Sequence, residues 1–553
     1  LGAWYAFCLG IFAEPTDCRQ ERILDSKEDT MLTSAWYKSL WMGVFLMMVG
    51  CAAESRYGGN PYNTPNYPND SAQKSSAESP TSDAGTPSSP EPTSNNPQPP
   101  TVNPWEDPAV DNLSTFAIDV DTSSYTYMRA QLNAGQKPDP YAVRVEEFVN
   151  YFDYRYESPK DKPLIVHVDG AISPFNKENY VLRVGLQGRR LTEEERRSLH
   201  LTFLIDTSCS MTGATRIGLV KKSLYVLLDQ LRKGDSVAIA TYAGSTTKLL
   251  EPTDATEKTR IKQIIDALGT GGGTAMGSGM QLAYEMASKA YVKGHENRVI
   301  VFSDGDANIG RVSYEEILKT IESYVAQGIT MTTVGFGIGN YQDNRMEQLA
   351  NKGNGNSYYV DNEEQAIRVF RDKFISNMVT LARDVKVQVE FNKDYVARYR
   401  LIGYENRDIA DKDFRNDKVD AGELGAGHTV TALYEVQLKQ QEIQPLIQSQ
   451  SPTPLIIVRL RYKGPDATKD DPATEEVTPV PTLLLHRPFE MTPWTLRFAT
   501  AVMGFAEILR TSPYAKGWTL IQAREIAKQA AQSNDPTHSE LIDLINKSIA
   551  FFP

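Results

Sequence analysis

The 553-residue sequence predicts an α/β domain on a doubly wound, mostly parallel sheet, flanked by β-rich strands that form a sandwich and followed by a helical C-terminal segment. Three observations predict this. From residue 199 to about 378, short apolar runs alternate with amphipathic stretches, the pattern of strand then helix. On both sides of that region the apolar period changes to two, as antiparallel strands require. From residue 495 onward, three helical patterns follow one another.

The chain opens with residues 1–30, read as a mis-extended lead ahead of Met31. Residues 31–50 carry a mildly basic start and the apolar run SLWMGVFLMMV, about the length of a secretory signal and too short to span a bilayer comfortably. Met48-Val49-Gly50-Cys51-Ala52 resembles a bacterial lipobox, which implies a signal peptide ending before a lipidated Cys51. The stretch 51–108 is rich in Ser, Pro, Asn, Thr and Gly and poor in large aliphatics. It cannot bury enough apolar surface to offset its ordering entropy and reads as a disordered tether. A lipid anchor and a tether together predict an exported protein held at the cell envelope, at the outer membrane in a diderm cell and otherwise at the outer face of the cytoplasmic membrane.

Residues 109–198 form a first flanking module. Residues 116–121 read as a strand, 125–134 and 142–152 as helices, and LIVHVDGAI and YVLRVGL as strands. The α/β region, 199–378, follows. Its strands are expected at 201–205, 236–242, 298–303, 329–335 and 357–360, with an amphipathic helix carrying Ile217, Val220, Leu224, Leu227, Leu228 and Leu231. Ser313 and Glu316 form a capping-box pattern before a later helix. Residues 379–553 form the second flank, with VKVQVEF, HTVTALYEV and PLIIVRLRY as strands and helices near 495–511, 518–532 and 538–550. The two flanks are expected to pair into one sandwich with the α/β region inserted.

The net charge of −12 and the absence of a long basic run speak against nucleic-acid binding. None of the four cysteines forms a CxxC pair, so a thiolate zinc site is not expected. No GxSxG, HExxH or GxxxxGK[ST] pattern occurs, and the six histidines are scattered, with His428 read as structural.

The chemistry concentrates at three strand ends, where ligands bind in open α/β sheets. The first is Asp206-Thr-Ser-Cys-Ser-Met211. In extended backbone alternate side chains share a side, so Asp206, Ser208 and Ser210 converge while Thr207 and Cys209 turn away. The second is the glycine-rich loop Thr270-Gly-Gly-Gly-Thr274, and the third is Ser303-Asp-Gly-Asp306. Two carboxylates and three hydroxyls, Asp206, Ser208, Ser210, Thr274 and Asp304, make a hard-oxygen site suited to Mg2+, with Ca2+ or Mn2+ as alternatives. Neutral hydroxyls offset little of the cation's charge, so an open position would attract a partner's carboxylate.

DxSxS, a later threonine in a glycine-rich loop and a third-loop aspartate resemble the metal-ion-dependent adhesion site of von Willebrand factor type A (VWA) domains. Val334-Gly-Phe-Gly-Ile-Gly-Asn-Tyr341 and Gly353-Asn-Gly-Asn-Ser-Tyr-Tyr-Val360 are similar to the end of that fold. Thr115-Phe-Ala-Ile-Asp-Val-Asp-Thr-Ser-Ser-Tyr125, Arg144-Val-Glu-Glu-Phe-Val-Asn-Tyr-Phe152 and Tyr399-Arg-Leu-Ile-Gly-Tyr-Glu-Asn-Arg407 resemble bacterial lipoproteins carrying a VWA domain between two family-specific modules. The resemblance implies Ser208, Ser210 and Thr274 as direct ligands, with Asp206 and Asp304 acting mainly through water. It implies a non-enzymatic protein that binds an Asp or Glu carboxylate of a protein partner at the metal, with no small-molecule substrate. A scaffold whose metal stiffens the loops, or a metal-dependent component of a chelatase-like assembly, are the alternatives. Cys209 stands where the family usually has glycine; a buried, inert thiol is expected, with an oxidisable cysteine as the alternative.

Two patterns imitate metal loops. Asp121-Thr-Ser-Ser-Tyr125 lacks the last hydroxyl position and reads as a polar strand end. Asp304 to Asn308 has EF-hand carboxylate spacing, but Ile309 stands where that loop needs glycine.

Overall fold

The computed structural model describes residues 102–305, 314–337, 343–419, 421–468 and 470–552. The lead, the signal segment, Cys51, Ser313 and Asp306 to Ile309 lie outside the described residues. The expected tether lies outside them up to residue 101. Its last residues pack on the body: Glu106 pairs with Tyr399 through backbone hydrogen bonds of 2.8 and 3.0 Å, and Trp105 lies under the Arg398 guanidinium.

The first flank contributes β1 (Leu113–Ala117), β2 (Leu164–Ile172) and β3 (Tyr180–Gly188). The central region contributes β4 (Leu199–Asp206), β5 (Ser236–Tyr242), β6 (Thr246–Asp254), β7 (Glu296–Ser303), β8 (Ile329–Phe336) and β9 (Ser357–Val360). The second flank contributes β10 (Thr380–Phe391), β11 (Val396–Ile402), β12 (Gly422–Gly425), β13 (Thr429–Leu438), β14 (Pro454–Lys463) and β15 (Thr474–Pro481).

The central sheet runs β6-β5-β4-β7-β8-β9, parallel except for the edge pair of β5 with β6. Its parallel strands are buried on both faces, which is why they read as continuous apolar runs. Leu201, Phe203 and Ile205 of β4 pack into one core with Leu224 and Leu227 of the helix Ile217–Gln230. Leu204 points the other way, into a second core with Met280 and Ala283 of the helix Met276–Ala290. The alternation places helices on both faces, the doubly wound arrangement the sequence predicts. β6 was not anticipated. Along it only Leu250 and Thr253 are buried, so an edge strand leaves little apolar signal.

The flanks interleave. One sheet runs β1-β10-β14-β15 with β12 also on β10, and the other runs β11-β13-β3-β2. Strands from before the central domain therefore pair with strands from after it. Phe116 meets Tyr404 at 4.8 Å between ring centroids, and Phe391 meets Tyr434 at 5.4 Å. The helices Trp494–Leu509, Leu520–Ala530 and Pro536–Ser548 pack with the helix Val145–Tyr151 around Phe148, Phe152, Phe498 and Leu541.

Two local readings are corrected. β1 ends at Ala117, so Asp121 is not a strand end; it sits before the helix Ser123–Asn133 and is buried. Its Oδ1 accepts the Ser357 N–H at 2.8 Å, tying the first flank to β9. The helix expected from residue 142 starts at Val145, because Pro140–Ala142 forms a separate 3-10 turn capped by Asp139.

His428 is structural, as read from the sequence. Its Nε2 lies 3.0 Å from Asn377 Oδ1. Burial, then the charges of Lys373 and Arg298, lower its pKa from 6.5 to about 3. The unfolded chain therefore binds this proton more readily than the folded one. Stability from His428 is complete above pH 6.5 and is lost as pH falls toward 3, amounting to about 2 kcal/mol at pH 5. Urea unfolding at pH 5 and 7.5 should show this loss in the intact protein, and His428→Gln should remove most of it.

Candidate metal centre

β4 ends at Asp206, and the chain does not stay extended. Ser208 caps a 3-10 turn, Cys209–Met211. The strict alternation expected along this stretch therefore stops at Ser208. The turn nevertheless brings Ser208 Oγ and Ser210 Oγ to 2.9 Å. Asp206 is held from two sides: its Oδ1 accepts the Ser208 N–H at 2.8 Å, and its Oδ2 accepts the Ser303 hydroxyl at 3.2 Å. Asp304, next along the chain from Ser303, is buried. Burial first, then hydrogen bonds from Ser208 that partly offset it and repulsion from Asp304, leave the Asp206 pKa above its usual value.

The glycine-rich loop docks onto this turn through its backbone. Gly271 N–H donates to Thr207 O at 2.8 Å, and Cys209 N–H donates to Gly272 O at 3.2 Å. Gly272 has a φ of +84°, a conformation glycine adopts without cost. Thr274 follows at the loop's end, half-buried, just before the helix Met276–Ala290. Among the described residues its hydroxyl makes no hydrogen bond to the other four candidates, of which Asp206, Ser208 and Ser210 are linked by the contacts above.

The donor set fits a hard cation. Mg2+ holds oxygens at about 2.1 Å, and adjacent octahedral ligands then stand about 2.9–3.0 Å apart. Ser208 Oγ and Ser210 Oγ have that separation. Their mutual hydrogen bond can be exchanged for a cation without moving either oxygen.

Cys209 is a correction. Its residue is exposed, not buried. Nor does the position demand glycine, since Cys209 is not among the residues with positive φ. The 3-10 turn lifts the residue outward, where a side chain fits without strain.

Sequence reasoning missed three groups. Ser303 supports Asp206 from beneath. The Tyr242 hydroxyl is buried nearby, its pKa raised by burial and by the Asp206 charge. Arg216, at the start of the helix Ile217–Gln230, donates from Nη1 to Ser210 O at 2.7 Å and lies 3.8 Å from Asp304 Oδ2. The signal for Arg216 was present, a cation one turn past the DxSxS motif, but nothing local showed where it points.

A different trio of carboxylates, Asp119, Asp121 and Glu347, brings ligand atoms within 4.8 Å of one another. Arg407 already supplies their positive charge, at 3.1, 3.2 and 3.6 Å. The decoy motif around Asp121 is thus a joint between modules.

A six-stranded doubly wound sheet, carrying DxSxS at the end of β4 with a threonine loop and an aspartate beside it, defines a VWA-domain protein. A model described as von Willebrand factor type A domain matches residues 200–373, and one described as von Willebrand factor matches 93–183. A third, described as YfbK, C-terminal, matches residues 376–550. The chain is 35% identical over 463 residues to "Uncharacterized protein YfbK" of Escherichia coli (strain K12), spanning 80% of this chain and 79% of that one. The protein belongs to the YfbK family. It is also 26% identical over 196 residues to "Uncharacterized protein sll0103" of Synechocystis, covering 35% of this chain and 45% of that one. Among solved structures, a von Willebrand factor type A protein from Catenulispora acidiphila covers 71% of this chain and 91% of its own, at 15% identity and a TM-score of 0.43.

Proposed function

We propose that this protein is an envelope-anchored lipoprotein that binds a protein partner through a divalent cation, Mg2+ in the first place. Ser208, Ser210 and Thr274 would hold the cation directly, and Asp206 and Asp304 would hold its waters. The cation would complete its shell with an Asp or Glu carboxylate of the partner. The observation that carries this reading is the pair of serine hydroxyls 2.9 Å apart, beside two carboxylates at the C-terminal ends of β4 and β7. The surrounding loop residues Thr212 to Thr215, Gly244, Ser245 and Gly271 to Gly273 are exposed and uncharged. They would let a partner approach closely with little desolvation cost. Lipidation of Cys51 would provide the anchor.

A crosslinking pull-down from intact cells, with and without EDTA, tests the binding. Partner capture should fall in EDTA; capture unchanged by EDTA and by Asp206→Ala sinks the reading. Cys51→Ala should move the protein to the soluble fraction, and retention in the membrane fraction would refute the anchor.

One observation favours a second reading, a metal-dependent component of an enzyme assembly. The chain is 28% identical over 176 residues to the "Magnesium-chelatase 67 kDa subunit" of Chlorobaculum tepidum, covering 29% of this chain and 28% of that one. Co-purification with an ATPase whose turnover is lost in Asp304→Ala would favour this reading over adhesion.

A further inference from the structure

The role of Arg216 deepens the metal-dependent reading above and rests on it. Its guanidinium spans the rim of the centre, fixed to Ser210 O by Nη1 at 2.7 Å and facing Asp304 Oδ2 with Nε at 3.8 Å. The fold makes room for it. Gly337, just past β8, has a φ of +79°, and a Cβ there would stand 2.5 Å from Arg216 Nε. The side chain is 28% exposed, so an incoming group can reach it.

Charge decides what such a group is. A divalent cation beside ionised Asp206 and Asp304 makes a neutral set. Arg216 adds one positive charge at the rim, where it disfavours the cation by like-charge repulsion until an anion arrives. A planar guanidinium also offers paired N–H donors matched to a carboxylate. We propose that Arg216 is the second anchor for the partner's carboxylate, which binds one oxygen to the cation and the other to Arg216. Arg216 thereby couples the two events: the cation binds weakly alone and tightly with a carboxylate, and the coupling is reciprocal.

Calorimetric titration of the full chain with Mn2+, with and without saturating acetate at matched ionic strength, tests this. In the intact protein acetate should tighten Mn2+ binding several-fold. Arg216→Met should bind Mn2+ about tenfold more tightly without acetate, with little further effect of acetate. Arg216→Lys, which keeps the charge, should keep the weak affinity. Equal Mn2+ affinity and an equal acetate effect in the intact protein and Arg216→Met, with both melting normally, would overturn the role of Arg216 and leave the metal reading standing. No Mn2+ binding by the intact protein would overturn both.

Discussion

Asp206→Asn should abolish the rise in melting temperature that Mg2+ confers on the intact protein. A ligand that binds only the folded state stabilises it by about 2.7 kcal/mol at a hundredfold excess over its Kd. That gain depends on a full negative charge close to the cation. Asparagine keeps a carbonyl where Asp206 Oδ1 accepts the Ser208 N–H, and so keeps the turn. It also removes a carboxylate that burial disfavours. The metal-free stability should therefore stay within about 1 kcal/mol of the original, while the Mg2+ response disappears. Thermal unfolding with Mg2+ and with EDTA separates the two. A variant that still responds to Mg2+ would show that the cation binds elsewhere.

Arg407→Ala should cost the metal-free protein about 3–5 kcal/mol, the usual penalty for leaving buried charge without its counter-ion, here that of Asp119 and Asp121, since Glu347 also pairs with Arg144. Asp119 and Asp121 come from the loop before the helix Ser123–Asn133, and Glu347 comes from the central domain's helix Asp343–Lys352. Arg407 follows β11 in the second flank, so one guanidinium joins three parts of the chain. Burial first, then Asp119, already raises the Asp121 pKa well above its usual value, even with Arg407 in place. Without Arg407, Asp121 will hold its proton more strongly still. The penalty should be largest near pH 8 and shrink toward pH 4 as Asp121 is neutralised. Urea unfolding at the two pH values measures it; a penalty independent of pH would mean lost packing rather than lost charge.

The contrast between these two sites shows what the chain makes legible. The metal loop was readable because its chemistry is local. An apolar strand, two serines spaced by two and a glycine-rich loop each leave a pattern within a few residues. The joint at Arg407 leaves none: its guanidinium reaches Asp121 across 286 positions, and Ser357 reaches the same aspartate across 236. The sequence therefore offered Asp121 as a spare metal motif, while folding made it a joint. Cys209 was misjudged for a related reason. Its direction depends on whether the backbone after β4 stays extended or turns, and the docking of Gly271 and Gly272 is what selects the turn. β6 escaped because an exposed edge has no apolar rhythm to detect.

The interleaved flanks also set an order of events as the chain emerges. Strand β3 waits for β13, and Gln187 reaches Gly427 across 240 positions. At a synthesis rate of about 5–20 residues per second, that is a delay of roughly 12–50 s. Through this interval the first flank has emerged with six of the nine strands of its two sheets missing, while the central domain, whose own strands are consecutive, can already close. A newborn chain of this kind carries a complete central domain before either flanking sheet can form.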